Sequence, residues 1–332
     1  MIAFFRCCRS SHLIKRSSTS LFSTASSQPG DFQRTLLNAV SRSGIGLHTG
    51  ITAQVRLLPA PAGVGRYFVH LSDDGQTKEE EVQVPASIHS VKETNLSTCI
   101  GQGDVRIRTI EHLLSALEGL GVHNCRIEIH GGNEVPLLDG SAKTWVDAIH
   151  EAGITFALDD KGDKLEHINF SLMEPVYVSK GDSFVAAFPS QDLRITYGID
   201  FCEVPAIRNQ WFSIHLDKDS TYMREISPAR TFCIREQIEK MRAAGLIKGG
   251  SMDNAIICSM SNGWLNPPLR FTDEPCRHKL LDLIGDLALC SENGNPGLPI
   301  AHIVAFKASH WLHIEFGNAL LKAKMNQHRG SK

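Results

Sequence analysis

The strongest structural signal in this chain of 332 residues is His278-Lys279-Leu280-Leu281-Asp282-Leu283-Ile284-Gly285-Asp286. If the segment is helical, His278, Asp282 and Asp286 follow one another at four-residue intervals and lie on one face. Its leucine and isoleucine side chains lie on the opposite side, where they can pack into a core. An imidazole and a carboxylate one turn apart have the spacing of metal ligands. The alternative is an amphipathic helix whose charged face is solvated.

A second segment, half a chain earlier, resembles the first. Glu111–Leu120 (EHLLSALEGL) aligns with His278–Leu287 (HKLLDLIGDL), so that the leucine pair, the next aliphatic residue and the last leucine coincide. Leucines at helical spacing also recur by chance, so the alignment alone is weak evidence. It favours two similar halves whose helices face a shared cleft.

In such a cleft, His112 can join His278 and Asp282 as a third metal ligand. Two imidazoles and one carboxylate leave a fourth position for water, which is the pattern of a catalytic zinc ion and not of a structural one. Glu111 can then act as the general base for that water. Taken alone, Glu111 and His112 would be ordinary surface residues at the start of a helix.

The composition is that of a globular chain. It is 42% hydrophobic, which is enough for a sizeable core and suggests two domains. The net charge of -2 gives no basic surface for nucleic acid, and no apolar run approaches the roughly 18 residues that span a bilayer. The nine cysteines include no CxxC pair. We therefore expect reduced thiols, and neither a disulfide framework nor a cysteine zinc site.

Residues 1–33 differ from the rest of the chain. Arg6, Arg9, Lys15 and Arg16 stand among many serines, and no acidic residue precedes Asp31. This composition is typical of an organelle transit peptide, and the early arginines favour the mitochondrion over the chloroplast. The alternative is a basic N-terminal tail without a targeting function.

Hydrophobic patterns divide the remainder into two α+β units, residues 34–160 and 168–325, with a polar linker around 158–167. In the first unit we expect strands at 53–58, 66–71, 105–107 and 125–129, and helices at 110–120 and from Ser141, as N-cap, through 149. In the second unit we expect strands at 174–178, 184–188, 193–199, 255–258 and 300–306, and helices at 234–244 and around 278–286.

Five motifs occur in one order: Ser43–Gly50 (SGIGLHTG), Thr109–Leu113 (TIEHL), Leu138–Ala142 (LDGSA), Ala229–Phe232 (ARTF) and His278–Asp286. Together they closely resemble the UDP-3-O-acyl-N-acetylglucosamine deacetylase family, the zinc amidases of lipid A synthesis. The resemblance implies an α+β fold of two related domains, each a small β-sheet layered with two α-helices. It places the active site at the interface of the two domains.

The resemblance also implies one zinc ion per chain. His112, His278 and Asp282 match the family's zinc ligands, and Glu111 matches its general base. The implied reaction is removal of the acetyl group from UDP-3-O-(3-hydroxyacyl)-N-acetylglucosamine, which releases acetate and a free glucosamine amine.

Three further residues match positions that assist this reaction. His310 matches the histidine that protonates the leaving amine, Asp286 the acid that orients this histidine, and Thr231 the donor to the oxyanion. From the residues alone, His310 could equally be a loop or helix-start histidine, and Thr231 could be a helix cap. Ser309 stands where the family pattern has glycine, and serine resists backbone conformations that glycine allows. We therefore expect Ser309 to affect the placement of His310.

Two other histidines, His302 and His313, compete with His310 for the proton-donor position. His302 falls in the alternating pattern of the expected strand, which favours a structural role for it.

The residues that match substrate-binding positions form two sets. Lys279 and His48 match positions near the sugar and phosphates, and Leu47, Phe232 and Ile238 match a hydrophobic passage for the acyl chain. We expect a monomer that acts on a nucleotide-sugar lipid. The alternatives are a zinc hydrolase of another N-acylated amine and a zinc-stabilised binding protein without activity. A cysteine nucleophile is less favoured, because no cysteine has an activating context.

Overall fold

The computed structural model describes residues 31–71, 82–216 and 219–330. The transit-peptide prediction falls almost entirely outside the described residues. The folded body already includes Phe32, which forms a β-bridge with Glu166, and the buried Gln33. Among the helices in the described ranges, none has the length and apolar character needed to cross a membrane.

The described part of the N-terminal half contains two α-helices, one on each side of strand β9 (Cys125–His130) in the sequence. In chain order its elements are β1 (Arg34–Leu36), β2 (Val40–Ile45), β3 (Thr52–Pro59), β4 (Arg66–Leu71), β5 (Gln83–Pro85), β6 (Val91–Glu93), β7 (Cys99–Gln102), β8 (Val105–Ile107), α1 (Glu111–Gly119), β9 (Cys125–His130), α2 (Lys143–Ala152) and β10 (Ile154–Phe156).

The C-terminal half follows the same plan with two additional helices. In chain order its elements are β11 (Val176–Lys180), β12 (Ser183–Pro189), β13 (Arg194–Phe201), β14 (Arg208–His215), α3 (Asp219–Glu225), β15 (Phe232–Ile234), α4 (Arg235–Ala243), β16 (Ile256–Ser259), β17 (Gly263–Trp264), α5 (Glu274–Leu287), β18 (Ala301–Phe306) and α6 (His310–Gly330).

Each half builds a five-stranded sheet with the same strand order. The two orders are β2-β3-β9-β4-β5 and β11-β12-β18-β13-β14. In both sheets the central strand is parallel to one neighbour, β9 to β4 and β18 to β13, and the other adjacent pairs are antiparallel. Each half adds a three-stranded sheet, β6-β7-β8 or β15-β16-β17. This repetition confirms the predicted α+β class and supports an internal duplication.

The inner face of each sheet packs against helices. Alternate residues of β3 and of β18 are buried, as expected for strands with one face in a core. In the C-terminal half, α5 contacts β13 and β14, and α6 contacts β11 and β12; in the N-terminal half, α2 contacts β2 and α1. The arrangement matches the expected layering of one sheet with two helices.

The two halves meet where α1 packs directly against α5. Gly285 allows this close approach, because a Cβ atom at that position would lie 2.0 Å from the carbonyl oxygen of Glu111. Every residue of α5 from Leu280 to Leu287 is buried. The alternative of an amphipathic helix with a solvated charged face is therefore wrong. The polar face of α5 lies inside the molecule, because it faces the other half.

Several elements differ from the sequence-based expectations. The longest helix, α6, was not predicted, although its buried Leu312, Phe316 and Leu320 recur every four residues. Ser141 is not the N-cap of α2, because Ala142 occupies that position. The hydroxyl of Ser141 nevertheless accepts the N–H of Lys143, 3.1 Å away. The other expected strands and helices are present, with ends displaced by up to four residues.

Candidate metal centre

The expected metal ligands come together at the contact between α1 and α5. His112 lies in the first turn of α1, and His278 and Asp282 lie one turn apart on α5. The Nε2 atoms of His112 and His278 lie 3.6 and 3.4 Å from Asp282 Oδ1. The two imidazole rings meet edge to face with centroids 4.9 Å apart. All three side chains are buried, so the cluster lies inside the molecule and uses both halves of the chain.

The donor set and its spacing fit a tetrahedral zinc ion. Two ligand atoms about 2.1 Å from one tetrahedral ion lie about 3.4 Å apart, which matches these separations. Asp282 Oδ1 is buried and has no hydrogen-bond partner among the described residues, so it lacks the contact that a buried carboxylate oxygen needs. The Nδ1–H of His278 donates to the carbonyl oxygen of Ala229 at 3.0 Å, which leaves the Nε2 lone pair facing Asp282.

The surroundings of Asp282 and His278 keep these two residues in the protonation states that bind a metal. Burial raises the pKa of Asp282, but Lys279 and His278 outweigh burial and hold this pKa well below its usual value. The Nζ of Lys279 donates to Asp282 Oδ2 at 2.8 Å, which leaves Oδ1 for a metal. Burial lowers the pKa of His278 to about 4, so its ring is neutral near pH 7, as a metal ligand must be.

Glu111, the first residue of α1, lies buried beside the cluster. Its Oε2 accepts the backbone N–H of Thr98 at 3.0 Å. Burial raises the pKa of Glu111 to about 7, although the neighbouring His310 and His112 oppose this shift. A carboxyl group with a pKa near 7 can accept a proton at neutral pH and release it again, as a general base requires.

Asp286 holds His310 on the other side of the cluster. The Nδ1–H of His310 donates to Asp286 Oδ2 at 2.7 Å, and His310 Nε2 lies 3.9 Å from Asp282 Oδ2. Burial lowers the pKa of His310, but Asp286 outweighs burial and raises this pKa to about 9. Burial raises the pKa of Asp286, but His310 and His313 lower it to about 2. The two groups therefore form an ion pair in which a protonated imidazole faces the expected metal ligands.

Asp286, His310 and His313 form a second group of close metal-type ligands. The Nδ1 atoms of the two histidines lie 2.7 and 2.8 Å from Asp286 Oδ2. These distances are shorter than the separation of about 3.4 Å between ligands of one zinc ion, and they match hydrogen bonds. This second group is therefore a hydrogen-bonded network.

Ser309 fits its position without the expected backbone conflict. Its Oγ accepts the N–H of Leu312 at 3.4 Å, and its carbonyl oxygen accepts the N–H of His313 at 2.9 Å, so Ser309 caps α6. The left-handed conformation falls on Lys307, with φ of 51°. The expectation that serine would disturb the placement of His310 is corrected, since Ser309 stabilises the helix that His310 begins.

Thr231 does not begin a helix, so the helix-cap alternative is wrong. It precedes β15, its N–H donates to the carbonyl oxygen of Gly140, and its own carbonyl oxygen accepts the N–H of Ile256, both at 2.8 Å. Thr231 lies two residues after Ala229, the hydrogen-bond partner of His278. The segment that carries Thr231 therefore contacts the ligand-bearing helix through Ala229.

His48 lies in the loop between β2 and β3, which a buried carboxylate fixes. Glu134 accepts the N–H groups of His48 and Thr49 and the hydroxyl of Thr109. Thr109 has a φ of 56°, which is strained for a β-branched residue, and it lies just before α1. The Nε2 of His48 is 3.1 Å from the hydroxyl of Ser97. Glu134 thus ties the His48 loop to the start of α1.

The three residues expected to line an acyl passage lie on separate elements, and each is half-buried. Leu47 lies in the β2–β3 loop, and its carbonyl oxygen accepts the N–H of Gly249, which follows α4, at 2.9 Å. Phe232 in β15 packs edge to face on Phe201, with centroids 5.4 Å apart. Ile238 lies on α4. A common passage formed by the three stays a prediction.

Four residues near the site were not anticipated in their observed contacts: Thr98, Glu134, Tyr197 and His313. Their hydrogen bonds join positions that are far apart in sequence, such as Thr98 with Asp286, so no local pattern could reveal them. The exception is His313, whose distance of three residues from His310 puts the two rings on one side of a helix.

The fold and this site define a duplicated α+β protein with a candidate single-metal centre between its halves. The chain matches the family described as UDP-3-O-acyl N-acetylglycosamine deacetylase over residues 33–322. It belongs to that family. The match spans both five-stranded sheets and every residue of the cluster.

Individual relatives agree with this assignment. The Arabidopsis thaliana protein named probable UDP-3-O-acyl-N-acetylglucosamine deacetylase 1, mitochondrial, is 50% identical over 314 residues, which cover 92% of this chain and 94% of the relative. UDP-3-O-acyl-N-acetylglucosamine deacetylase of Trichormus variabilis is 48% identical over 292 residues, covering 87% and 98%. The protein of that name from Thermosynechococcus vestitus is 45% identical over 293 residues, covering 88% and 95%.

Proposed function

We propose that this chain is a zinc-dependent deacetylase of UDP-3-O-(3-hydroxyacyl)-N-acetylglucosamine. The products are acetate and UDP-3-O-acyl-glucosamine, and the reaction is an early step of lipid A biosynthesis. The observation that carries this proposal is the convergence of His112, His278 and Asp282 from two halves of the chain, with Asp282 Oδ1 buried and unpaired. The identity of the substrate is inferred from the family to which the chain belongs.

In the proposed site, His112, His278 and Asp282 hold one zinc ion. When bound, zinc supplies a positive charge that lowers the pKa of water to about 7 and polarises a carbonyl group. Iron(II) accepts the same ligand types, and zinc is proposed because the spacing suits a tetrahedral ion.

The protein groups move the protons. Glu111 removes a proton from water as the water oxygen forms a bond to the acetamide carbon, and Thr231 donates to the developing oxyanion. His310, protonated and held by Asp286, gives its Nε2 proton to the nitrogen as the carbon–nitrogen bond breaks. The proton held by Glu111 passes to the neutral His310, which restores the starting state of both groups. The second proton of water is released to solvent as the acid ionises, so that acetate and a free amine result.

Other residues are proposed to bind the rest of the substrate. Lys279 and His48 take the sugar and phosphates, and Leu47, Phe232 and Ile238 take the acyl chain. Lys279 is 20% exposed at its side chain while it contacts Asp282, so it can reach both the ligand cluster and a bound sugar.

We also propose that residues 1–33 direct the chain to the mitochondrion and that the mature protein is a monomer. The Arabidopsis thaliana relatives carry the word mitochondrial in their names, which supports the mitochondrion over the chloroplast. Fusing residues 1–33 to a fluorescent protein tests the first proposal, and light scattering of the purified protein tests the second.

The deciding experiment uses protein lacking residues 1–30. Metal is removed with a chelator, zinc or iron(II) is restored, and acetate release from the UDP-linked substrate is measured. We expect one metal ion per chain and activity that depends on it. Bound metal without acetate release would support a binding protein and contradict the proposal.

A second measurement separates the lipid substrate from another N-acylated amine. The same enzyme is given UDP-N-acetylglucosamine without the fatty chain. We expect kcat/KM to fall sharply, because the acyl chain contributes binding energy to the transition state. Equal kcat/KM for both compounds would favour the alternative substrate class.

A further inference from the structure

His313 is a fully buried ring behind the proposed proton donor. It is 0% exposed, whereas His310 is 7% exposed and faces the metal ligands. The Nδ1 atoms of both rings bind the same oxygen, Asp286 Oδ2, at 2.8 and 2.7 Å. Because a carboxylate oxygen only accepts hydrogen bonds, both Nδ1 atoms carry a proton. His313 therefore limits the positions that Asp286 can take while it holds His310.

Tyr197 connects this ring to the backbone that leads into α6. Its hydroxyl oxygen lies 3.0 Å from His313 Nε2 and donates to the carbonyl oxygen of Ala308 at 2.9 Å. Ala308 is two residues before His310, and His313 is three residues after it. The hydroxyl thus contacts the chain on both sides of His310, from strand β13, which is paired on both edges, with β18 and β14.

The second oxygen of Asp286 is held from the N-terminal half. The hydroxyl of Thr98 donates to Asp286 Oδ1, and the backbone N–H of Thr98 donates to Glu111 at 3.0 Å. The carboxylate therefore receives donors on both oxygens, which leaves it little freedom to rotate. The fixed carboxylate in turn orients His310, through the hydrogen bond from His310 Nδ1 to Asp286 Oδ2.

We propose that His313 and Tyr197 are positioning residues that aim His310 at the metal centre, by fixing Asp286 and the first turn of α6. The side-chain hydrogen bonds of both residues go to Asp286, to Ala308 and to each other, and not to His112, His278 or Asp282, so both act through His310. This inference rests on the proposed deacetylase function. The competing account is that the network only stabilises the fold, and the two accounts differ in what happens to kcat in the folded, metal-loaded protein.

Two substitutions at residue 313 separate the contacts of the ring. His313→Leu removes both polar contacts, while His313→Asn keeps a donor close to the position of Nδ1. We expect His313→Leu to lower kcat by about 10-fold to 100-fold, as is typical when a residue supporting the reacting groups is lost. KM and zinc content should stay within about twofold of the parent. His313→Asn should restore kcat to within about threefold of the parent.

Tyr197→Phe removes only the hydroxyl, and Tyr222→Phe is its matched control. Both tyrosines are buried, and the Tyr222 hydroxyl donates to Ser115 at 2.9 Å, without contact to Asp286 or His310. We expect Tyr197→Phe to lower kcat by about threefold to tenfold, because the hydroxyl contacts with the Ala308 carbonyl oxygen and with His313 are lost. Tyr222→Phe should leave kcat unchanged even if it lowers the melting temperature by a similar amount.

A measurement without catalysis keeps this inference separate from the proposed function. In histidine-labelled protein, the Nδ1 proton of His310 should exchange with solvent faster in His313→Leu than in the parent. If the parent releases no acetate, the deacetylase proposal fails, and the exchange rate still tests the positioning of His310. Parent-like kcat and exchange in His313→Leu, or equal loss of kcat in His313→Leu and His313→Asn, would overturn the inference.

Discussion

The two five-stranded sheets have one strand order but different outer faces. On the N-terminal sheet, Arg56 and Arg126 pair with Glu128, so the outer face is charged. On the C-terminal sheet, the ring of Trp211 lies flat on Phe306, with centroids 5.2 Å apart. Both sheets bury one face, as β3 and β18 show, whereas the exposed faces carry different chemistry.

The two halves also contribute different residues to the candidate metal centre. The N-terminal half contributes Glu111 and His112 from the start of α1, and the C-terminal half contributes the other ligands and the proposed acid from α5 and α6. A duplicated scaffold thus carries one undivided candidate site, with the proposed base on one side and the proposed acid on the other. The comparison teaches that neither half has a complete set of groups.

Removing a ligand from either half tests this division most strongly. We expect His112→Ala and His278→Ala each to lose bound zinc and to lower kcat/KM by about a thousandfold or more, because the metal contributes several kcal/mol to the transition state. Metal analysis and acetate release provide the measurements. If His112→Ala kept its zinc, the metal would belong to the C-terminal half alone and the comparison would break.

Two carboxyl groups of α1 sharpen the role of the N-terminal half. Glu111→Gln should lower kcat by about a hundredfold to a thousandfold with zinc retained, because the base is lost. Glu118→Gln is the matched control: it breaks a buried ion pair with Arg66, with N–O distance 2.6 Å, and should cost about 3–5 kcal/mol of unfolding free energy with little change in kcat. Near-parent turnover of Glu111→Gln would refute the base assignment.

The pH profile assigns base and acid to their halves. Activity should fall below the pKa of Glu111, about 7, because the protonated carboxyl cannot accept a proton. It should fall above the pKa of His310, about 9, because the neutral ring cannot donate. Bound zinc favours the less protonated forms and moves both limits to lower pH. In plots of kcat/KM against pH, Glu111→Gln should lose the acidic limb and His310→Gln the alkaline limb.

The profile contradicts these assignments if both variants keep both limbs. Exchange of the two effects, with His310→Gln losing the acidic limb, would reverse the roles of base and acid.

Gly285→Ala tests the contact between the halves and has the smallest expected effect. The added methyl would meet the Glu111 backbone at 2.0 Å, so α1 and α5 must separate, at a cost of about 1–3 kcal/mol of unfolding free energy. Zinc affinity should fall with it, since the ligands lie on both helices. Gly198→Ala is the control, because the three atoms nearest to its added methyl all belong to the half-exposed Trp211 ring, and none belongs to α1 or α5. Urea unfolding measures the stability of each variant, and zinc titration measures its zinc affinity. If Gly285→Ala bound zinc as tightly as the parent, the contact between α1 and α5 would not be coupled to metal binding.

The sequence predicted the part of the fold that repeats local patterns. The helices at 110–120 and around 278–286 have strong periodicity, and they and the strand at 66–71 are confirmed by the structure. Helix α6 was missed because His310, His313 and Gly317 interrupt its apolar positions, although these residues pack or form hydrogen bonds. The repeated strand order was beyond prediction, because β9 and β18 insert between strands that precede them by a long stretch of chain.

The sequence predicted which residues form the candidate site, but not their burial or their hydrogen bonds. Helical spacing placed His278 and Asp282 together, and the alignment of the two halves added His112. Neither pattern indicated that Glu111 is buried, which raises its pKa. Thr231 was open to a helix-cap interpretation because a threonine four residues before a helix resembles a cap when the intervening strand β15 is too short to recognise.

In each five-stranded sheet, the middle strand is the last to be synthesised. Until β18 leaves the ribosome, the hairpins β11-β12 and β13-β14 have no strand between them, and their inner edges can pair with other chains. The same holds for β9 in the first half. A nascent chain that stalls before Ala301 would therefore lack the strand that joins the two hairpins as well as the proposed acid. Such a fragment would be prone to aggregation, which makes chaperone protection during synthesis a consequence of the strand order.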